Sequence, residues 1–347
     1  MLVKRNDSHY ERLRSIVQSF PNITVTVLAD LVADEFVYGE ISRVSREAPV
    51  LILKHRERSV VPGGGANAIM NLADLKVNVL PVGVVGDDEP GRLLLQAFRA
   101  KKVSLSGVNR LKGHTTPTKT RILAGTSHSS RQQVVRVDRE PEPLGETHPA
   151  LLNLISSVRE YAKASDALLI SDYGYGAATP RLLTFIRSKG ALDHLSVTLD
   201  SRYRLLEYSG LTAATPNQPE VEAALNLDLG NDSQRLCSAG RELIKRMKLE
   251  SLVITRGSDG MVAFDGAKKP VEIPVYGPKD VTDVTGAGDT VIATFTAAIA
   301  AGADTESAAH LANLAGGIVV MKRGTATITQ AELLKALEES SKAVHVR

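Results

Sequence analysis

At 347 residues the chain exceeds one average domain, yet its net charge of +3 is a small imbalance and it contains no Trp. With no basic tract interleaved with aromatics, nucleic acid is excluded as a partner, and the slight basic surplus suits anionic small molecules. The single cysteine, Cys237, rules out an internal disulfide or a thiolate metal cage. Its place in a helical pattern reads as a small buried apolar residue in a reducing compartment. The eight histidines show no metal-binding spacing. The charged start, Met1 to His9, has no apolar core segment, and the run Thr290 to Ala303 is too short and too rich in threonine to span a bilayer. A cytoplasmic protein without a membrane partner is expected.

Strands and helices alternate along the chain, the signature of an α/β fold with a mainly parallel central sheet and helices on both faces. The first strand is Thr24 to Ala29. Glu35 to Ile41 and Val50 to Glu57 then alternate apolar and polar residues with no helix between them, as do Thr118 to Leu123 and Gln133 to Asp138. These pairs predict a small antiparallel β-sheet lid, separate from the core, in segments 35–60 and 116–139. The core continues with helix Gly65 to Asp74, strand Val77 to Val82 and helix Gly91 to Lys101. Helix Glu146 to Ala162 precedes strand Ala167 to Ser171, and helix Thr179 to Lys189 precedes strand Ser196 to Leu199. Helices Pro219 to Leu225 and Ser233 to Met247 precede strand Leu252 to Thr255. Helices Gly288 to Ala301, Thr305 to Lys322 and Gln330 to Ser340 close the chain. No repeat or low-complexity linker interrupts it, so one unit over residues 1–347 is expected. In open α/β sheets ligands lie beyond the carboxyl ends of strands, which should bring Asp30, Asp34, Asp172, Asp200, Asn217 and Thr255 to one crevice.

The segment Asp283-Val-Thr-Gly-Ala-Gly-Asp-Thr290 carries the clearest chemistry. Gly286 and Gly288 have no side chains, so phosphate oxygens can approach the amides of Gly286, Ala287 and Gly288 at a helix start, where the dipole favours negative charge. Asp289 places a carboxylate inside that anion hole, suited to taking a proton from a substrate hydroxyl. The plainer alternative is a turn with a first-turn acid that complements the dipole. Asn217 and Glu220 equally read as a helix start with its acid, and Thr255 to Gly260 as an ordinary turn.

Other phosphate motifs are excluded. No G-x-x-x-x-G-K-[ST] occurs, and the Lys119-Thr120 pair has Thr118 where the second glycine should stand. Gly63-Gly64-Gly65-Ala66-Asn67-Ala68 fits G-x-G-x-x-A, but Pro62 precedes it, which argues against a dinucleotide fingerprint. Protein-kinase H-R-D and D-F-G elements are absent.

Taken in order, Gly63 to Ala68, Asn217-Gln-Pro-Glu220, Thr255-Arg-Gly-Ser-Asp-Gly260 and Asp283 to Thr290 resemble the PfkB (ribokinase-like) carbohydrate kinases over about residues 24 to 340. Arg43 to Val50, Pro62 to Asn67, Ser171-Asp-Tyr173, Thr215-Pro-Asn217 and Gly324 to Thr327 are most similar to the D-glycero-D-manno-heptose 7-phosphate kinase half of ADP-heptose synthesis proteins. The resemblance implies ATP as phosphoryl donor and a sugar or phosphosugar as acceptor. It implies Asp289 as base, with Gly286, Ala287 and Gly288 holding the transferred group. Asn217 and Glu220 would organise Mg²⁺ through water, and a monovalent cation can accompany it. Thr255, Gly257, Gly260 and Asn313 would line the nucleotide site. Asp30, Asp34, Gly64, Gly65, Asn67 and Asp172 would meet the sugar. The lid would exclude water and pair two subunits, and its Arg43, Arg121, Arg131 and Arg136 are candidates for a phosphate. The chain departs from the heptose-kinase pattern at Tyr175, where a lysine is usual, at Arg202 in Asp200-Ser-Arg202, where D-P-K is usual, at Ala29 for a glycine, and by an apparent lid insertion at Gly125 to Ser130. Arg202 could keep a bidentate phosphate contact. A kinase for ribose, fructose or a nucleoside, or a non-catalytic sensor of the same fold, are the competing readings.

Overall fold

The computed structural model describes residues 2–125, 132–277 and 282–345. Helix α1 (Leu2–Ser19), not anticipated from the sequence, leads into β1 (Thr24–Val44). No Gly or Pro separates Ala29 from Phe36, and residues 25–36 are buried throughout, so the expected core strand and first lid strand are one continuous element. Then come β2 (Leu51–Gly64), α2 (Gly65–Asp74), β3 (Asn78–Gly86), α3 (Glu89–Ala100), β4 (Gly107–Leu111), β5 (Thr118–Gly125) and β6 (Gln132–Arg139). The middle of the chain supplies α4 (Ala150–Ala162), β7 (Ala167–Asp172), α5 (Pro180–Arg187), β8 (Ser196–Ser201), β9 (Ala213–Ala214), α6 (Gln218–Leu225) and α7 (Ser233–Met247). The last part contains β10 (Ser251–Thr255), β11 (Met261–Asp265), β12 (Val271–Ile273), α8 (Ala287–Ala300), α9 (Thr305–Val319) and α10 (Gln330–His345). Helix α4 starts at Ala150 rather than Glu146 because Pro149 stands at its cap and cannot extend the amide ladder.

The core sheet has the order β12-β11-β10-β9-β8-β7-β1-β3-β4. It is parallel from β10 to β4, with β11 and β12 antiparallel at one edge. One apolar face packs beneath α1, α2, α8, α9 and α10 through residues such as Leu13, Ile69, Phe295, Leu311 and Leu337. The other packs beneath α4, α5 and α7 through Leu154, Ile186 and Leu243. The apolar run that follows Asp289 is thus core helix. Among the described residues no helix is long and apolar enough to cross a membrane.

From β1 the chain moves out to β3 and β4, then returns to β7 on the other side of β1. Strand order therefore reverses at the β1/β7 boundary, where such sheets open a crevice beyond their carboxyl ends. Over that crevice lies the lid, ordered β2-β1-β5-β6. Its outer pairings, β1/β2 and β5/β6, are antiparallel, while the middle pairing β1/β5 is parallel and ties the lid to the core through β1. Residues 126–130, most of the apparent insertion, and Arg131 lie outside the described residues.

Candidate functional site

Helix α8 is preceded by its cap residue Gly286, whose φ of 78° is left-handed, so a side chain there would be strained and would also run into the Asn67 amide. The Ala287 amide donates to the Val284 carbonyl at 3.3 Å. Ala287 is thus withdrawn from the expected trio of donors; among the described residues the Gly286 and Gly288 amides have no acceptor and remain for an anion. No atom lies within 4 Å of a Cβ built at Gly288, so the approach is open. Asp289, 4% exposed, sits in the first turn. Its Oδ1 accepts from the Tyr173 hydroxyl at 2.7 Å and its Oδ2 from the Asn67 amide at 3.0 Å. Asn67 is steadied by Asn71, whose amide donates to Asn67 Oδ1 at 3.2 Å and whose Oδ1 accepts from Thr290 at 3.1 Å. Burial pushes the Asp289 carboxyl up to about 7, against the Asn67 and Tyr173 hydrogen bonds and the Lys119 charge that favour its ionised form. Each carboxylate oxygen has a further lone pair, so a hydroxyl can still dock on it.

On one side of Asp289 opens a polar cavity of about 340 Å³ lined by Tyr173, Asp200, Arg202, Asn217, Glu220, Thr255, Gly286 and Gly288. Asn217 and Glu220 form a capping box: Asn217 Oδ1 accepts from the Glu220 amide and Glu220 Oε2 from the Asn217 amide, both at 2.9 Å. The helix-start alternative is therefore true of this pair, and it fixes both side chains at the cavity wall. Burial raises the Glu220 carboxyl, and burial with the nearby negative Glu220 and Asp289 holds Asp200 well above the usual carboxylate range. Such acids need cationic company. Among the described residues no three His, Cys, Asp or Glu side chains are arranged to hold a metal ion together. This donor set fits Mg²⁺ carried by phosphate oxygens and reached through water, rather than a protein cage.

The polar cavity shares Thr255, Val284 and Gly288 with an apolar one of about 190 Å³, to which Gly257, Gly260, Gly317 and Asn313 contribute. Asn313 on α9 donates to the Pro274 carbonyl at 2.8 Å and walls this cavity. All four expected nucleotide-lining residues, Thr255, Gly257, Gly260 and Asn313, come together here.

The acceptor side corrects several expectations. Asp30 is 1% exposed, and its carboxylate accepts from the amides of Tyr173, Tyr175 and Ala177 at 2.9, 3.0 and 2.8 Å. It shapes the loop after β7 and is withdrawn from a ligand; burial raises its carboxyl to about 6. Asp172, also 1% exposed, is held by Arg204 in a two-pronged pair, by Tyr208 at 2.9 Å and by Ser201 at 3.0 Å. Both carboxylates are spent inside the fold. Asn67 turns to Asp289 rather than outward to a sugar. Arg202, expected on the acceptor, lies 3.4 Å from Glu220 in the polar cavity instead. Asp34, 4% exposed, is also partnered: Oδ1 accepts from Arg121 at 2.5 Å and Oδ2 from Thr325 at 2.7 Å. The Gly63 backbone approaches so closely that a Cβ would collide with this carboxylate. Gly64 runs beside the Tyr173 ring, and Gly65 brings the start of α2 against Ala29. Arg136 is paired with Asp138, and Arg43 is exposed far out on β1.

Two site residues escaped the sequence reading. Tyr173 holds the candidate base, and burial with the neighbouring Asp289 charge raises its phenol well above its ordinary value. Lys119 on β5 lies 4.9 Å from the Tyr173 ring centroid. Its signal was present: Lys119 and Arg121 stand two apart on a strand and share its face.

The profile of the pfkB family carbohydrate kinases matches residues 32–332. The chain is 38% identical over 329 residues to the bifunctional protein HldE of Geobacter metallireducens, covering 94% of this chain and 65% of that one. It is 36% identical over 345 residues to HldE of Mesorhizobium japonicum, covering 98% and 67%. The chain thus spans about two thirds of the length of these relatives, and 65% of the first. The ribokinase of Arabidopsis thaliana complexed with ribose and ATP superposes with a TM-score of 0.69 at 19% identity, covering 91% of this chain and 98% of that one. The fold is ribokinase-like, as the resemblance of the motifs implied.

Proposed function

We propose, from the premise that the chain belongs to the pfkB family of carbohydrate kinases, that it moves the γ-phosphoryl group of ATP to a hydroxyl of a heptose 7-phosphate-like sugar. The acceptor hydroxyl donates to Asp289, and its oxygen attacks the γ-phosphorus in line with the bond to ADP. The new P–O bond forms as the bond to the β-phosphate oxygen breaks, ADP leaves, and the proton passes to Asp289 and then to solvent. The Gly286 and Gly288 amides stabilise charge on the transferred group, and positioning supplies most of the remaining barrier reduction. Asn217 and Glu220 would hold Mg²⁺ through water, which when bound neutralises the donor phosphates. Arg202 belongs with these phosphates, and the apolar cavity beside Asn313 takes the base of the nucleotide. A monovalent cation is expected to support turnover.

The observation that carries this reading is the buried Asp289 at a bare helix start with both oxygens aimed by Tyr173 and Asn67. Support for the heptose phosphate comes from the similarity at Arg43 to Val50 and Gly324 to Thr327 and from the cations around Tyr173. The unit comprises residues 1–347, with its lid pairing a second copy through exposed Val44, Val135 and Val137. A panel of ribose, fructose, nucleosides, heptose and D-glycero-β-D-manno-heptose 7-phosphate, coupled to ADP release, tests the reading. Preference for the phosphorylated heptose supports it; equal or better use of an unphosphorylated sugar leaves only the sugar-kinase assignment.

A further inference from the structure

The cations around the crevice differ in whether they are already spent. Arg121 donates to Asp34 at 2.5 Å and lies over the Phe36 ring, Arg58 is paired with Glu35 and Glu89, and Arg136 with Asp138. Lys119 is half-buried on the same face of β5 as Arg121, yet among the described residues no carboxylate oxygen lies within 4.0 Å of its ammonium. It rests on the Tyr173 ring, on a lid strand and outside the lining of the donor cavity. Burial lowers the Lys119 pKa while the charges of Asp34 and Asp289 oppose the fall, so the ammonium sits in a partly dry site with the Tyr173 ring against it and, among the described residues, those carboxylates in its field but none in contact. Tyr175, at the position where a lysine would otherwise serve, donates its hydroxyl to Glu140 at 2.9 Å and brings no charge.

A half-desolvated ammonium beside the base, with no carboxylate in contact among the described residues, has room for an anionic oxygen from the substrate. We infer that Lys119 receives the phosphate group carried by the acceptor sugar and sets the preference for a phosphorylated acceptor. This rests on the phosphosugar reading above. A compact point charge with three donors suits a phosphate monoester, while Arg121 cannot turn to it without leaving the buried Asp34 carboxylate unpaired. The lid-strand position makes the acceptor phosphate, and not the donor's, the source of that oxygen.

The test compares the parent protein with Lys119→Met, which keeps the stem, and with Lys119→Arg, which keeps the charge. Acceptors are D-glycero-β-D-manno-heptose 7-phosphate and the same heptose without phosphate. One charge-assisted contact predicts that Lys119→Met lowers kcat/KM for the phosphorylated acceptor roughly 10- to 100-fold, mostly through KM. The unphosphorylated acceptor and the KM for ATP should change less than about threefold, and Lys119→Arg should recover part of the loss. Equal losses on both acceptors, or a loss that appears in the KM for ATP, overturn the inference while leaving the phosphosugar reading intact. If the parent itself uses both acceptors equally, that reading fails and the assignment of Lys119 falls with it. Should Lys119→Met melt well below the parent, Lys119→Gln takes its place: a selectivity ratio that falls toward one supports the inference, and an unchanged ratio overturns it.

Discussion

Replacing Asp289 by Asn should leave a protein that is catalytically disabled yet more stable above neutral pH. The amide keeps the shape of the carboxylate but cannot take a proton, so kcat should fall by a factor on the order of 10² or more with ATP affinity little changed. The stability effect follows from the environment of the residue. Burial lifts the folded carboxyl from 3.8 to about 7, so its favourable contribution to folding is complete below pH 3.8 and is lost as pH rises through about 7. A rise of that size is worth up to roughly 4 kcal/mol against the parent at pH 8. The variant escapes that penalty; its Oδ1 can keep the Asn67 amide while its NH₂ donates to the Tyr173 oxygen, but the Tyr173 O–H then loses its acceptor, which costs about 1–3 kcal/mol. The net expectation is a gain of about 1–3 kcal/mol at pH 8 that vanishes or reverses near pH 4. Chemical denaturation at the two pH values and ADP-release kinetics measure both effects. A kcat within about threefold of the parent refutes the base assignment, and a variant destabilised at pH 8 refutes the electrostatic account of the site.

Tyr173→Phe removes one of the two hydrogen bonds that favour ionised Asp289, so the fall of kcat/KM on acidification should begin at higher pH than in the parent; an unmoved profile would detach Tyr173 from the base. Glu220→Gln retains an acceptor for the Asn217 amide but drops the charge, and should raise the Mg²⁺ concentration for half-maximal rate; an unchanged metal titration returns Glu220 to its capping role alone. Arg202→Ala should raise the KM for ATP roughly 10-fold while acceptor KM stays within about threefold, the reverse of what an acceptor contact would give.

What could be read without the structure was local. The glycine spacing and Asp289 within Asp283 to Thr290 mark a helix start whose bare amides need no distant partner, and the alternation of strands and helices led to a mainly parallel sheet with a crevice beyond its strand ends, while the strand order and its reversal at β1 and β7 came from the structure. The capping box of Asn217 and Glu220 likewise spans only four residues, and both its structural and site-lining aspects follow from one geometry. The readings that changed depend on partners far along the chain. Asp30 looked free because its amide donors lie 143 to 147 residues away, and Asn67 looked available to a sugar because Asp289 is 222 residues distant. Carboxylates after strands were assigned to ligand, when two of them instead build the loop that presents Tyr173. The unbroken β1 was within reach, since Leu31-Val32-Ala33 continues the apolar run without a breaker. Strands β4, β9, β11 and β12, none longer than five residues, leave too short a pattern to separate from turns.

The most direct test of the buried base at the helix start is the pH dependence of kcat/KM for the preferred acceptor, followed from about pH 5.5 to 8.5 at saturating ATP and Mg²⁺. With Asp289 as the group that must be ionised and its carboxyl raised to about 7, the rate should fall tenfold per unit below neutrality as a single proton is taken up. A profile flat across that range would contradict the account.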